Sequence, residues 1–394
     1  YSGGLDTSII IPWLKERYPG SEVHALAGDV GQGGDELLGL EDKAAASGAA
    51  SCRIADCKRE FVEEVIWPCL MAGAIYERRY LLGTSMARPI LARAQVDYAR
   101  EVGADAVCHG CTGKGNDQVR FELAYMALAP DLEIIAPWRE WDIKSREDAI
   151  DYAAARNIPL TVTKEKIYSR DRNLWHVSHE GGRIEDPANP PAEDAWMWTV
   201  DPKRAPDEAE SVTVRFENGQ PVGIGNETLD PVTLIERLNE IAARHGVGRI
   251  TILENRLVGM KSRGQYETPG GTVLYEAMSA LQALVLERDL MHLHDTLAHR
   301  FAELVYNGKW FTPEREALEE FFRKANERTT GTATVELFKG RATASCATSP
   351  FALFREDLAT FGESQTYSQS DAGGFIRLYG LPTRVAAAVR RDAT

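Results

Sequence analysis

Between Val23 and Arg156 the chain alternates short apolar runs with longer stretches of helical periodicity. Val23–Ala27, Cys52–Ala55, Ala106–Cys108 and Ile134–Ala136 read as strands. Ser8–Arg17, Asp35–Ser47, Arg59–Met71, Pro89–Val102, Asp117–Ala129 and Ser145–Arg156 read as helices. Parallel strands need long crossovers, usually helical, and this spacing supplies them. The pattern dictates an α/β fold: a doubly wound parallel sheet with helices on both faces. Ligands of such sheets collect beyond the carboxyl ends of the strands, so the chemistry is sought in the loops there.

After Arg156 the pattern changes. Asp186–Glu210, rich in Pro, Ala, Asp and Glu, reads as a loop or linker. Val212–Glu217 reads as a strand, Pro231–Arg244 as a helix and Arg249–Leu253 as another strand. Thr272–Tyr306 reads as one long helix or two in series, and Gly374–Pro382 with Val385–Arg391 as a short arm and helix. At 394 residues the chain has room for two domains and a tail. Its net charge of −14 disfavours nucleic acid and membrane as partners, and no apolar run reaches the roughly 20 residues of a spanning helix. No signal peptide is seen. Six cysteines in so long a chain fit free thiols in a reducing cytoplasm. The sequence opens at Tyr1-Ser2-Gly3-Gly4 without an initiator Met, and a strand is expected to precede it.

Two glycine-rich loops carry the chemistry. Ser2-Gly3-Gly4-Leu5-Asp6-Thr7-Ser8 runs into a helix, where glycines let backbone N–H groups approach an anion and Ser2, Thr7 and Ser8 add hydroxyls. His109-Gly110-Cys111-Thr112-Gly113-Lys114-Gly115-Asn116-Asp117 follows the third strand and forms a second backbone-lined site. Asn116, at the expected helix cap, and Arg120, four residues on, share a face and could grip a carboxylate. Cys108-x-x-Cys111 suggests a metal or redox pair, but no second pair completes a zinc set. His292, His294 and His299 do not share a helix face and read as structural or exposed.

The first loop resembles the pyrophosphate-binding loop of the ATP-pyrophosphatase superfamily and lacks the Walker A lysine. Longer strings narrow this resemblance. Tyr1–Ser8, Arg59-Glu-Phe-Val-Glu-Glu64, Tyr80-Leu-Leu-Gly-Thr-Ser85, His109–Arg120, Gly246-Val-Gly-Arg-Ile250 and Glu254–Pro269 are similar to the argininosuccinate synthase family, in one register from Tyr1 to about Ser364. The resemblance implies a nucleotide-binding domain over residues 1–160, an α+β synthetase domain over 161–360 and a C-terminal oligomerisation arm and helix over 361–394. It implies ATP with Mg²⁺, the substrates citrulline and aspartate, and a cytoplasmic homotetramer.

Position by position, it implies that Tyr1, Ser2, Gly3, Gly4, Leu5, Asp6, Thr7 and Ser8 hold the ATP phosphates, with Gly28 and Gly110 also on ATP. Thr112, Asn116 and Asp117 fall to aspartate. Tyr80, Ser85, Asn116, Arg120, Ser169, Ser178, Glu254 and Tyr266 fall to citrulline. Asp6, Asp117 and Arg120 are the candidates for the catalytic work, and Asp6 and Asp117 are candidate Mg²⁺ ligands.

The residue chemistry agrees in kind: Arg120 suits a carboxylate, Glu254 an ammonium, and the hydroxyls a neutral ureido group. Without the resemblance, Tyr80 and Tyr266 read as half-buried core rings and Glu254 as a solvated strand end. Ser169 and Ser178 then read as solvated loop. The implied reaction activates the ureido oxygen as an adenylate and needs no Ser-His-Asp triad. The family often has Ala at the position of Gly28 and Ser and Ala at those of Cys108 and Cys111; the last thirty residues match least. Three other readings remain: a tRNA-thiolating enzyme using Cys108 or Cys111, a ligase of aspartate to another ureido or guanidino compound, and a catalytically silent nucleotide binder.

Overall fold

The computed structural model describes residues 1–113, 115–143, 145–156, 158, 168–360, 362, 366 and 368–393. Lys114 and the domain edges expected at 160, 161 and 361 lie outside them. The chain divides into two compact units, Tyr1–Phe351 and Ala352–Thr394.

In the first unit, His24–Asp29 pairs in parallel with Ser51–Asp56, and Ala106–Cys108 with Glu133–Ile135. Helices Gly34–Leu37 and Leu40–Ala46 make the first crossover, and Asp117–Leu128 the second. The Tyr1 nitrogen donates to the Leu26 carbonyl, so the first residue lies alongside the first strand. Lys58–Phe61 and Trp67–Met71 are α-helical, but Val62–Ile66 between them is a π turn. Pro68 explains it: proline lacks an N–H and its ring clashes with the carbonyl four residues back, so the register widens. The helix expected from Pro89 begins at Gly83 and carries Pro89 inside it. The first helix opens at Leu5, before Ser8, and is interrupted at Ile9.

Two antiparallel sheets follow. One orders Arg249–Asn255, Lys261–Glu267, Val177–Glu180 and Ser169–Arg172. Ser169 and Ser178 therefore stand on strands, not in loop. Ser169-Arg-Asp-Arg172 has no apolar alternation, so sequence alone gave no strand signal. The other sheet orders Arg341–Thr348, Gly331–Phe338, Glu210–Glu217, Gln220–Ile224 and Glu227–Thr228. Helix Pro231–Arg244 appears as expected, and Thr272–Tyr306 resolves into Pro269–Val285 and Arg288–Tyr306. Phe216, Leu234, Val273, Leu274, Phe301 and Val335 belong to the main core.

Side chains alternate across a strand, so the four-stranded sheet has two distinct faces. Asp171, Ser178 and Tyr266 align on one rung, and Glu254 lies on the same face two alternations beyond Ile250, the partner of Tyr266. His179, Gln265 and Glu267 point the other way. There Glu267 accepts from the backbone nitrogens of Met197 (2.7 Å), Trp198 (3.0 Å) and Thr199 (2.7 Å), and from Thr199 Oγ1 (2.6 Å). Gln265 Oε1 accepts from Ala192 N at 2.7 Å. The segment read as a linker is irregular in backbone but fastened to this sheet.

The second unit holds helices Glu356–Ala359, Asp371–Tyr379 and Leu381–Asp392. Phe375, Ile376, Leu378, Tyr379, Val385 and Val389 are exposed on it.

Candidate functional site

A cleft of about 580 Å³ lies beyond the carboxyl end of the first strand and opens onto the inner face of the four-stranded sheet. Tyr1, Ser2, Thr7, Gly28, Gly110, Thr112, Asn116, Asp117 and Arg120 line it from one side. Tyr80, Ser169, Ser178, Glu254 and Tyr266 line it from the other. Residues drawn from both halves of the sequence thus share one cavity. Gly3, Gly4, Leu5, Asp6, Ser8 and Ser85 are not on its walls.

The first loop is tied by its own hydroxyls. Ser2 Oγ lies 3.1 Å from Thr7 Oγ1, which also accepts from Ser2 N at 3.3 Å. Gly3 sits at φ +69°, a left-handed conformation that suits glycine, and leads through Gly4 into the helix. Ser8 is buried and contacts the Tyr1 hydroxyl at 3.2 Å. Asp6 is exposed in the first turn.

At the centre stands an alternating set of charges. Arg88 Nη2 donates to Asp117 Oδ2 at 2.7 Å and also to Asp171 Oδ2. Arg120 Nη1 donates to Asp117 Oδ1 at 2.8 Å. Burial alone would raise the Asp117 carboxyl, but Arg88 and then Arg120 hold it well below the usual carboxylate range. Asp171 moves the other way: burial raises it, Arg88 opposes, and the Asp117 charge adds to the rise. With both oxygens engaged by guanidinium groups, Asp117 is badly suited to ligate a cation.

Beside this set, Glu254 is buried and accepts hydrogen bonds from the hydroxyls of Tyr266 and Tyr306. Tyr266 reaches it by leaning back over Gly264, where an added Cβ would lie 2.6 Å from the phenol oxygen. Asn116 has helical backbone angles and its side chain caps nothing. Its Nδ2 donates to the Tyr306 hydroxyl at 2.9 Å, and its Oδ1 accepts from Leu257 N at 2.9 Å. Arg120 Nε donates to the Tyr306 carbonyl at 2.9 Å. The pair expected to converge on a carboxylate converges here on Tyr306.

The Tyr80 hydroxyl accepts from Thr84 N at 3.1 Å, and its ring lies 4.8 Å from that of Tyr266. Tyr80 and Tyr266 are fully buried, more so than half-buried core rings would be. Ser85, next to Thr84, is buried, and its Oγ has no hydrogen-bond partner. Ser178 Oγ donates to the Asp171 carbonyl at 3.4 Å.

Burial pushes both the Cys108 and Cys111 thiols up to about 12, so they stay protonated near neutrality. His109 also lines the cleft, with Nε2 2.9 Å from Glu122 Oε1. Among the described residues no cluster of His, Cys, Asp and Glu could hold a metal ion.

The sequence reading missed Arg88, Asp171 and Tyr306. Arg88 lay just outside the helix expected from Pro89, Asp171 fell in an unrecognised strand, and Tyr306 was the last residue of the helical stretch read from Thr272. One signal was available: Arg88 follows Tyr80–Ser85 by one helical turn.

The chain is similar over nearly its whole length to known proteins. Residues 1–159 match the family model described as the arginosuccinate synthase N-terminal HUP domain, and residues 168–386 match the arginosuccinate synthase C-terminal domain. The chain is 57% identical to the chloroplastic argininosuccinate synthase of Arabidopsis thaliana, over 99% of this chain and 79% of that one. It is 57% identical to the argininosuccinate synthase of Pelotomaculum thermopropionicum, over 100% and 98% of the two chains. With that of Carboxydothermus hydrogenoformans the identity is 58%, over 99% and 97%. The chain belongs to the argininosuccinate synthase family.

Proposed function

We propose that the chain joins citrulline to aspartate at the expense of ATP, giving argininosuccinate, AMP and pyrophosphate. The observation that carries this reading is the single cleft in which the glycine loop, the Arg88–Asp117–Arg120 set and the Glu254 pocket meet. A ureido carbon is a poor electrophile because two nitrogens donate into it. In this reading its oxygen attacks the α-phosphorus and pyrophosphate leaves toward the loop at Ser2–Thr7. The aspartate amine then attacks the activated carbon, AMP departs and the amine gives up a proton. Positioning and charge stabilisation supply the acceleration; orientation can be worth roughly 7–11 kcal/mol.

Glu254, backed by Tyr266 and Tyr306, would take the citrulline ammonium. Arg120, Asn116 and Ser178 would border the same substrate, and Thr112 and Asp117 the aspartate. Ser85, behind Tyr80, would act by supporting that wall. Gly28 and Gly110 would border ATP. Asp117 does not fit a Mg²⁺ ligand and Asp6 is not on the cleft wall, so magnesium would enter as the counter-ion of the triphosphate.

The exposed apolar residues of the terminal unit support a homotetramer built through that segment, and six free cysteines support a reducing, cytoplasmic setting. Among the described residues no helix is long and apolar enough to cross a membrane.

Pyrophosphate release from Mg·ATP, with citrulline and aspartate supplied separately and together, tests the reading. Release that needs citrulline, with argininosuccinate forming once aspartate is added, supports it. Folded, ATP-binding protein that releases no pyrophosphate with citrulline would reject it.

A further inference from the structure

The first strand ends in a hydrogen-bonding rung that a side chain of the same chain occupies. Alternate residues of a strand direct their N–H and C=O groups to the same side. In His24–Asp29 the Leu26 side faces Tyr1, whose nitrogen takes the Leu26 carbonyl. Asp29 faces the other way, and its carbonyl accepts from Cys57 N at 2.8 Å. The next groups on the Leu26 side are the Gly28 N–H, the Gly28 carbonyl and the Val30 N–H. Instead of a neighbouring strand, Gln32 meets the last two. Its Nε2 donates to Gly28 O at 2.8 Å and its Oε1 accepts from Val30 N at 2.8 Å. Gly28, Val30 and Gln32 all line the cleft, with the apolar side chains of Leu26 and Leu91 beside them.

A carboxamide presents a donor and an acceptor side by side in one plane. Adenine presents the same pair, its amino N–H next to a ring nitrogen, whereas guanine and hypoxanthine carry a carbonyl where adenine has the amino group. We propose that Gln32 is an internal stand-in for the adenine base: it holds the Gly28–Val30 rung in the empty cleft and must swing out for the base to take its place. The inference rests on the reading that ATP occupies this cleft. The exchange swaps two hydrogen bonds for two of the same kind, so its cost is the closed state's share of the population. Selectivity follows from the same rung, because a base with the reversed pattern cannot replace what Gln32 gives up.

Equilibrium binding of AMP and IMP to the full chain tests the proposal, with the wild type compared with Gln32→Ala and Gln32→Glu. Removing the plug should tighten AMP by about three- to tenfold, the size of one modest hydrogen-bond term. The ATP KM should fall with it while the citrulline KM serves as control. Gln32→Glu, which sets a carboxylate against the Gly28 carbonyl, should act in the same direction, and IMP should stay weak throughout.

A second readout uses the unaltered chain labelled with ¹⁵N-glutamine. AMP should shift the Gln32 side-chain amide signals and IMP should not. AMP binding that leaves those signals unmoved, or a stably folded Gln32→Ala chain that binds AMP no more tightly than wild type, overturns the proposal alone. A wild type that binds no adenine nucleotide would reject the cleft assignment with it.

Discussion

Arg88 and Asp117 join two helices at the floor of the cleft through a 2.7 Å hydrogen bond between Nη2 and Oδ2. The same Nη2 serves Asp171 on the neighbouring sheet, so one buried cation fixes three elements. Removing it would leave two half-buried carboxylates short of a partner; with solvent screening and Arg120 still on Asp117, the cost is about 1–3 kcal/mol. Arg88→Ala is therefore expected to melt below wild type and to lose turnover. Arg88→Lys keeps the charge without the fork, and should recover much of the Tm while turnover stays at least about tenfold down. Thermal melts with steady-state kinetics check both, and an Arg88→Ala chain with wild-type Tm would refute the account.

Tyr266 and Tyr306 both donate to the Glu254 carboxylate, which orients it and offsets its burial. A hydrogen bond to a charged group is worth about 1.5–3 kcal/mol. Tyr266→Phe should raise the citrulline KM by roughly ten- to a hundredfold, with a much smaller effect on the ATP KM. Equal changes in both would place the pair outside the citrulline pocket.

His176 carries a pH signal. Burial first, and then the Arg88 charge, hold its imidazolium down at about 3. An unfolded histidine titrates near about 6.5, so the folded state refuses a proton that the unfolded chain accepts. Stability is thus fully present above about 6.5 and is lost as pH falls from there toward 3, at up to about 1.4 kcal/mol per pH unit. Tm measured from pH 7.5 to 5 should decline before the carboxylates titrate. His176→Asn should flatten that decline, and an unchanged slope would assign it elsewhere.

Gly28 supplies a packing test. A Cβ there would fall 2.2 Å from Leu91 Cδ2, the movable end of a side chain that lines the cleft. Gly28→Ala should push Leu91 inward and raise the ATP KM by about three- to tenfold, since overpacking costs about 1–3 kcal/mol. Leu91→Ala in the same chain should restore it. Failure of the second change to restore binding would show that the methyl itself, and not Leu91, obstructs the base.

The parallel strands and their loops were legible because little of either face is exposed, which leaves short apolar runs such as Ala25-Leu26-Ala27, bounded by glycine. Helix Pro231–Arg244 was legible from its Asp230 cap and following proline. The substrate face was not. Its residues alternate polar on the cleft side with His179, Gln265 and Glu267 on the other, so no hydrophobic period marks Ser169–Arg172 or Val177–Glu180. Tyr306, Arg88 and Asp171 come together only through tertiary packing, and Asn116 stands at the expected N-cap position while a partner 190 residues away claims its side chain.

Glu267 neighbours Tyr266, and the segment it grips, Met197–Thr199, would in sequence pass for a tether between domains. Because the carboxylate is buried and its hydrogen bonds come from that segment, peeling the loop away would strand an anion in the interior. The loop therefore cannot serve as a hinge: the strands bearing Tyr266 and Ser178 move with it or not at all. Insertions or deletions near residue 198 should then register as lost substrate affinity, although no residue of the loop lines the cleft.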